Sequence, residues 1–126
     1  MQREVVRSEK APKAIGPYEQ AVKIGGWVYT SGQIPLDPKT GTLVEGGIAP
    51  QTRQVMENLR AILEAAGTSM SRVVKTTVYM TNLGDFQKMN EVYADYFPQD
   101  KPVRSTVGVA SLPRGALVEI DVLAQV

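Results

Sequence analysis

Residues 49–67 read APQTRQVMENLRAILEAAG, and apolar side chains recur in this stretch every three or four positions. That spacing predicts an amphipathic helix. Pro50 lies near its start, where a missing N–H costs nothing, and Gly67 follows its last apolar turn. The charged side chains of Arg53, Glu57 and Arg60 fall on the opposite face. The apolar face comprises Val55, Met56, Leu59, Ile62, Leu63 and Ala66.

A second helix is predicted after the next strand, which alternates from Val73 to Thr81. This helix begins near Asp85, a residue type that favours the N-cap position. It ends before Pro98, which cannot continue a helix. Its apolar positions are Phe86, Met89, Val92, Tyr93 and Tyr96.

The rest of the chain predicts short strands. Arg3–Arg7 is a candidate first strand, and 21–24 and 27–33 form a hairpin because Gly25-Gly26 between them tolerates a tight turn. A loop rich in proline and glycine precedes the first helix. Strands 103–110 and 117–125 are separated by Ser111-Leu112-Pro113-Arg114-Gly115, which predicts that they pair as a hairpin.

The resulting order is β, β, β, α, β, α, β, β, which favours an α+β fold with both helices on one face of a mostly antiparallel sheet. In the last strand Val118 to Ala124 alternates with Glu119, Asp121 and Leu123, so one face is apolar and the other mixed. The same alternation assigns Val74, Val78 and Met80, and in the next strand Val103, Val107 and Val109, to the core. A mixed face without a second layer must meet water or another subunit, and a homo-oligomer is expected.

Composition limits the chemistry. The 126 residues suit one domain spanning 1–126, and Cys and His are both absent. Thiol and imidazole nucleophiles, and metal sites that depend on them, are therefore excluded. A net charge of +1 argues against nucleic-acid binding, the sequence has no membrane-length apolar run, and no signal peptide is expected from its first residues. A cytoplasmic location is the default expectation.

Arg104 is the first candidate site residue. The alternation places it on the non-core face, where its guanidinium needs a carboxylate from the protein or from a ligand. With the predicted hairpin it faces residue 123, and Glu119 lies roughly 13 Å away. A salt bridge to Glu119 or Asp121 and a ligand anion site remain equally weighted.

Glu119 is the second candidate, because an acid in an apolar strand has a raised pKa suited to proton transfer. An interface ion pair is the alternative, and Asp121 shares its face. The glycine-containing segments Gly16-Pro17-Tyr18 and Ser31-Gly32-Gln33 could approach a ligand closely, although most such glycines serve turns. Asn90, which disfavours a helix interior, is either held for a partner or simply exposed.

Several segments together resemble the RidA family (YjgF/YER057c/UK114), the reactive intermediate deaminases, over essentially the whole chain. They are Gly16-Pro17-Tyr18-Glu19-Gln20-Ala21, Thr30-Ser31-Gly32-Gln33-Ile34-Pro35, Lys75-Thr76-Thr77-Val78-Tyr79, Phe86 to Asn90, Pro102-Val103-Arg104-Ser105-Thr106-Val107 and Leu117-Val118-Glu119-Ile120. Two positions differ from common family forms. Glu19 stands where a small or apolar residue is frequent, and Thr106 where Cys is often found.

The resemblance implies a chorismate-mutase-like homotrimer with sites between subunits. It also implies hydrolysis of 2-imino acids or their enamines, such as 2-aminoacrylate, 2-iminopropanoate and 2-iminobutanoate, to 2-keto acids and ammonia, which protects pyridoxal-phosphate enzymes. Arg104 would bind the substrate carboxylate with backbone groups of Gly32 and Thr106, while Tyr18, Ser31 and Asn90 line the pocket and Glu119 activates water. Neither metal nor cofactor is expected, because an iminium carbon is already electrophilic.

Two other functions remain open. One is a non-catalytic keto-acid sensor or chaperone-like oligomer. The less favoured one is a ribonuclease or translation inhibitor, because the sequence has no basic stripe with interleaved aromatic residues.

Overall fold

The computed structural model describes residues 2–126, which form one six-stranded sheet and two α-helices. The strand order across the sheet is β1-β2-β3-β6-β4-β5. Short 3-10 turns lie at Met70–Arg72, Leu83–Asp85 and Pro113–Gly115. The main elements are β1 (Glu4–Val6), β2 (Ala21–Ile24), β3 (Trp27–Thr30), α1 (Ile48–Ala65), β4 (Val73–Met80), α2 (Phe86–Ala94), β5 (Val103–Gly108) and β6 (Val118–Gln125).

The predicted element order and the α+β class are confirmed. The apolar face of α1 is buried, and Gly67 follows the helix with φ of 85°, a conformation that glycine adopts without strain. The β2–β3 hairpin turns through Gly25 and Gly26, both with positive φ. At α2, Asp85 occupies the N-cap position but forms no side-chain cap hydrogen bond. Asn82 caps the preceding 3-10 turn Leu83–Asp85, where its Oδ1 accepts from the Gly84 N–H at 2.9 Å.

The predicted pairing of β5 with β6 is wrong. β5 lies at the sheet edge, parallel to β4, while β6 lies between β3 and β4 and is antiparallel to both. β4 and β5 are parallel because α2 connects them. The helix carries the chain back along the sheet, so β5 starts at the same end of the sheet as β4 and runs in the same direction. The central position of β6 suits its buried face of Val118, Ile120, Val122 and Ala124.

The facing of β4 and β5 also differs from the prediction. A register shift between Val73 and Lys75 leaves Val74 exposed, although it was predicted to face the core. Thr76 is buried on the core face instead, beside Val78. On β5, Val103 is 67% exposed and Val107 42% exposed. These valines of β5 therefore lie on the face of the sheet opposite to the helices, here called the open face.

One side of the sheet carries both helices and the main apolar core, which includes Met56, Leu59, Ile62, Met80 and Ile120. Among residues 2–126, no helix covers the other side, where Tyr79 and Leu123 are half-buried, whereas Leu117 packs against the main core. Within the same residues, neither helix has the length and apolar character needed to cross a bilayer.

Candidate active site

Arg104 lies on the helix-bearing side of the sheet, opposite to the predicted side. Its cross-strand partner on β4 is the buried Thr76, which in turn faces the buried Val122 on β6. Directly paired residues point to the same face. Because β5 is an edge strand, the exposed guanidinium reaches solvent beside α2 instead of entering the core.

The Arg104 guanidinium is held by α2. Its Nη1 donates to Asn90 Oδ1 at 2.6 Å, and its central carbon lies 5.4 Å from the Phe86 ring centroid and 4.9 Å from that of Tyr93. No carboxylate of residues 2–126 forms an ion pair with Arg104. The alternative of a salt bridge to Glu119 or Asp121 is therefore excluded within the chain.

A cleft of about 450 Å³ opens beside this guanidinium. It presents two cations, Lys101 and Arg104, and contains no acidic side chain. Lys101 Nζ donates to the Phe97 carbonyl at 3.1 Å. This combination favours an anionic ligand at Arg104. The lining residues are Asn90, Tyr93, Ala94, Phe97, Lys101, Pro102 and Arg104.

Glu119 lies on the other side of the sheet. It pairs across with Tyr79, which alternates with the buried Val78 and Met80. Its carboxylate lies so close to Gly32 that a Cβ at residue 32 would come within 2.8 Å of Glu119 Cδ. The absence of a Cβ at Gly32 therefore leaves room for the Glu119 carboxylate in this position, whereas the backbone does not need glycine, because the φ of Gly32 is not in the left-handed region.

A second cleft, of about 320 Å³, contains this carboxylate. The structure brings four of the predicted site residues together here, namely Tyr18, Ser31, Gly32 and Glu119. Ile15, Ile34 and Pro113 complete the lining and were not predicted as site residues.

The hydroxyl groups of this cleft are oriented by the backbone. Tyr18 Oη accepts from the Ile15 N–H at 3.1 Å, so its own proton is free to be donated to a ligand. Ser31 Oγ donates to the Glu19 carbonyl at 2.5 Å, so it meets a ligand as an acceptor. The Glu19 side chain forms an ion pair with Arg7 at 2.9 Å.

Burial raises the pKa of the Glu119 carboxyl, and the neighbouring Asp121 carboxylate raises it further. Burial likewise raises the pKa of Asp121, although hydrogen bonds from Tyr79 and Thr77 and the charge of Lys75 oppose this. Glu119 has no such opposing cation or donor. Of the two acids on this face, Glu119 is therefore the better suited to exchange a proton with a substrate.

Thr106 and Asn90 lie with Arg104 and away from Glu119. Thr106 pairs with Val78, and its buried hydroxyl forms no hydrogen bond within the described residues. Asn90 is half-buried and orients Arg104, so the alternative of a merely exposed amide is wrong. The ligand contacts predicted for Thr106 and Asn90 stay predictions.

The aromatic contacts of Arg104 were missed by sequence reasoning. Phe86 and Tyr93 were assigned to the apolar face of the second helix, although Phe86 is 38% exposed. The spacing of Phe86, Asn90 and Tyr93, four and then three residues, places all three on one helix face and was the available signal.

The cleft beside Arg104 and the cleft beside Glu119, here called the two half-sites, are too far apart for one small ligand to contact both within one chain. Two inter-strand spacings and three residues along the strand separate their backbone positions, roughly 14 Å in the plane of the sheet, and the side chains leave opposite faces. Among residues 2–126, no group of three or more acidic side chains is placed to hold a metal ion.

Comparison with known proteins places this geometry in a family. The family model described as Endoribonuclease L-PSP matches residues 8–126. A RutC family protein of Pyrococcus horikoshii is 56% identical over 97% of each chain. The human 2-iminobutanoate/2-iminopropanoate deaminase is 46% identical over 97% of this chain and 89% of its own.

Solved structures of similar proteins have the same fold as this chain. A Rid-family protein from Yersinia pestis, of unknown function, superposes with a TM-score of 0.97 at 51% identity, covering 99% of this chain and 100% of that one. TdcF of E. coli, solved with bound serine, gives 0.93 at 42% identity and 98% coverage of both chains. The expected family and fold are thereby confirmed: the chain belongs to the RidA (YjgF) family, the family of the Endoribonuclease L-PSP model.

Proposed function

We propose that this protein hydrolyses 2-imino acids to 2-keto acids and ammonia, at sites that form where two copies of the chain meet. The single observation that carries the proposal is the Arg104 guanidinium, which is oriented by α2 beside a cleft and has no carboxylate partner in the described chain. A planar guanidinium matches a carboxylate through two parallel N–H···O bonds. Human and mouse relatives named 2-iminobutanoate/2-iminopropanoate deaminase support the choice of substrate.

The separation of the two half-sites supports the shared site. Arg104 and Glu119 leave opposite faces of one sheet, so a small substrate that contacts both needs Glu119 from a second copy. The open face offers a surface for that copy, because Val103, Val107 and Tyr29 are exposed there or at its edge. We propose a homotrimer, in which cyclic symmetry places the Arg104 half of each chain against the Glu119 half of the next.

The chemistry balances without a covalent intermediate on the protein. Water adds to the iminium carbon, protons pass to nitrogen, and the C–N bond breaks, so R–C(=NH2+)–COO− and H2O yield R–CO–COO− and NH4+. Arg104 fixes the carboxylate and so orients the imine carbon. Glu119 accepts the proton of the attacking water or delivers one to nitrogen, and Tyr18 donates a hydrogen bond to an oxygen of the substrate.

A coupled assay tests this function. Threonine dehydratase releases 2-iminobutanoate, and the rate of 2-oxobutanoate formation is measured with and without the purified protein. We expect acceleration by the wild type and loss of most of it in Glu119→Gln, with 2-oxobutanoate binding retained. Binding of the keto acid without acceleration of any imine would overturn the enzymatic proposal and favour a sensor.

Ribonuclease activity is the second candidate, favoured only by the description of the family model as Endoribonuclease L-PSP. The cleft beside Arg104 is lined by two cations, Lys101 and Arg104, fewer than the clustered phosphate contacts from which nucleic-acid binders gain their affinity. RNA cleavage that copurifies with the protein and is abolished by Arg104→Ala would support this candidate.

A further inference from the structure

One face of α2 forms a cradle around the guanidinium of Arg104. Phe86, Asn90 and Tyr93 all contact it: two aromatic rings with centroids 5.4 Å and 4.9 Å from its central carbon, and one amide oxygen 2.6 Å from Nη1. Aromatic faces attract guanidinium groups and prefer to stack on their plane. The amide fixes the rotation of that plane.

The cradle is tied to the sheet by a buried hydrogen bond. Tyr93 Oη lies 2.8 Å from Thr76 Oγ1, and Thr76 is the direct cross-strand partner of Arg104. Thr76 is fully buried, and the Tyr93 ring also packs on Phe97 with centroids 4.9 Å apart. The ring beneath the guanidinium is therefore fixed relative to the strand that sets the position of Arg104.

These contacts matter because the Arg104 side chain would otherwise be free to adopt many rotamers. Arg104 lies on an edge strand and is exposed, and a free arginine side chain loses rotamer entropy when it is held in one position. The contacts with the Phe86 and Tyr93 rings, whose centroids lie 5.4 Å and 4.9 Å from the central carbon of the guanidinium, restrict this side chain. Asn90 accepts from Nη1, and a guanidinium carries four further N–H donors.

We infer that Phe86 and Tyr93, the latter through Thr76, are positioning residues that hold the Arg104 guanidinium ready for bidentate binding of the substrate carboxylate. The inference rests on the proposed function for the identity of the ligand. Its own prediction concerns carboxylate binding, which is measured without turnover.

A double-mutant cycle tests the inference. The affinity for 2-oxobutanoate is measured by calorimetry in wild type, Phe86→Leu, Arg104→Lys and the combined variant. Phe86 is 38% exposed, so its replacement leaves the core intact. We expect Phe86→Leu to weaken binding about fivefold to tenfold in the Arg104 protein and less than about twofold when Arg104 is Lys, because a compact ammonium has no planar fork for the ring to orient. Equal losses in both backgrounds would overturn the inference, since a purely structural role is additive.

Tyr93 has a matched control three residues away. Tyr96 is 6% exposed against 8% for Tyr93, and its ring also lies near guanidinium groups, those of Arg53 and Arg60 at 5.7 Å and 5.0 Å. We expect Tyr93→Phe, which breaks the bond to Thr76, to weaken 2-oxobutanoate binding about threefold, whereas Tyr96→Phe leaves it unchanged. Equal effects of the two variants would overturn the role given to Tyr93.

The two proposals fail separately. If the wild type binds 2-oxobutanoate and the cycle is non-additive, but no imine is hydrolysed, the proposed activity falls and the positioning role stands. If imines are hydrolysed and the cycle is additive, only the positioning role falls. A wild type that binds no 2-keto acid refutes both.

Discussion

Replacement of Gly32 by Ala is expected to displace the Glu119 carboxylate while the stability of the fold stays the same. A Cβ at this residue would lie 2.8 Å from Glu119 Cδ and 3.0 Å from its Cγ. Ordinary contacts between such carbon atoms are about 3.5–4.0 Å, so the carboxyl group must move by roughly 1 Å. The atoms that move belong to the far end of a flexible side chain, and the backbone of Gly32 suits any residue because its φ is not positive.

The expected result is a protein that folds normally and turns over poorly. A displacement of about 1 Å in a catalytic group can cost about 100-fold in rate. The backbone N–H of residue 32 is kept, so binding of 2-oxobutanoate should change little. We expect kcat in the dehydratase-coupled assay to fall about 100-fold, with the unfolding temperature within a few degrees of wild type.

Gly16→Ala is the matched control. A Cβ there meets only Tyr18 ring atoms at 3.5 and 3.6 Å, an ordinary contact, and its φ is also not positive. We expect near wild-type turnover from this variant. A Gly32→Ala protein that is folded and hydrolyses imines at the wild-type rate would refute the catalytic position assigned to Glu119.

Three further predictions concern charge. Arg104→Lys keeps the positive charge but loses the planar guanidinium that binds a carboxylate through two N–H groups. We expect kcat/KM for 2-iminobutanoate to fall about 100-fold while the oligomeric mass is unchanged. A wild-type kcat/KM in this variant would contradict the contact between Arg104 and the substrate carboxylate. Asp121→Asn removes a neighbouring negative charge that raises the pKa of Glu119, so the inflection of the pH–rate profile assigned to Glu119 should move to lower pH, and an upward or absent shift would contradict that assignment. Because burial raises the pKa of Glu119 in the folded state, the folded state holds this proton more tightly than the unfolded state, and ionisation costs stability as pH rises through the raised pKa. Glu119→Gln should therefore unfold at a higher temperature than wild type near about pH 7 and lose this advantage towards about pH 4, and a lower unfolding temperature at neutral pH would show that the carboxylate is stabilised by the fold.

The elements that depend on local pattern were predictable. Helix α1 follows from the recurrence of apolar residues up to Ala66 and from Gly67 after it, and the core face of β6 follows from simple alternation. The candidate residues Arg104 and Glu119 stood out because charges in apolar strands need a partner or a ligand.

Strand pairing was not predictable from the same pattern. Strands 103–110 and 117–125 were assigned to a hairpin because a proline and a glycine separate them, whereas the long-range contacts of β6 with β3 and β4 decide its position. That error carried over to Arg104. Valines on an exposed edge strand follow the same alternation as valines in a core, so only the parallel register with β4 reveals which face Arg104 occupies.

Complementation between inactive variants tests the shared site most directly. Arg104→Ala and Glu119→Gln chains, each with a different affinity tag, are coexpressed, and oligomers that carry both tags are isolated. In a mixed trimer of either composition, one of the three junctions joins an intact Arg104 to an intact Glu119, so about one third of wild-type imine hydrolysis is expected. Mixed oligomers no more active than each variant alone would contradict the central claim that the two residues serve one site from two copies of the chain.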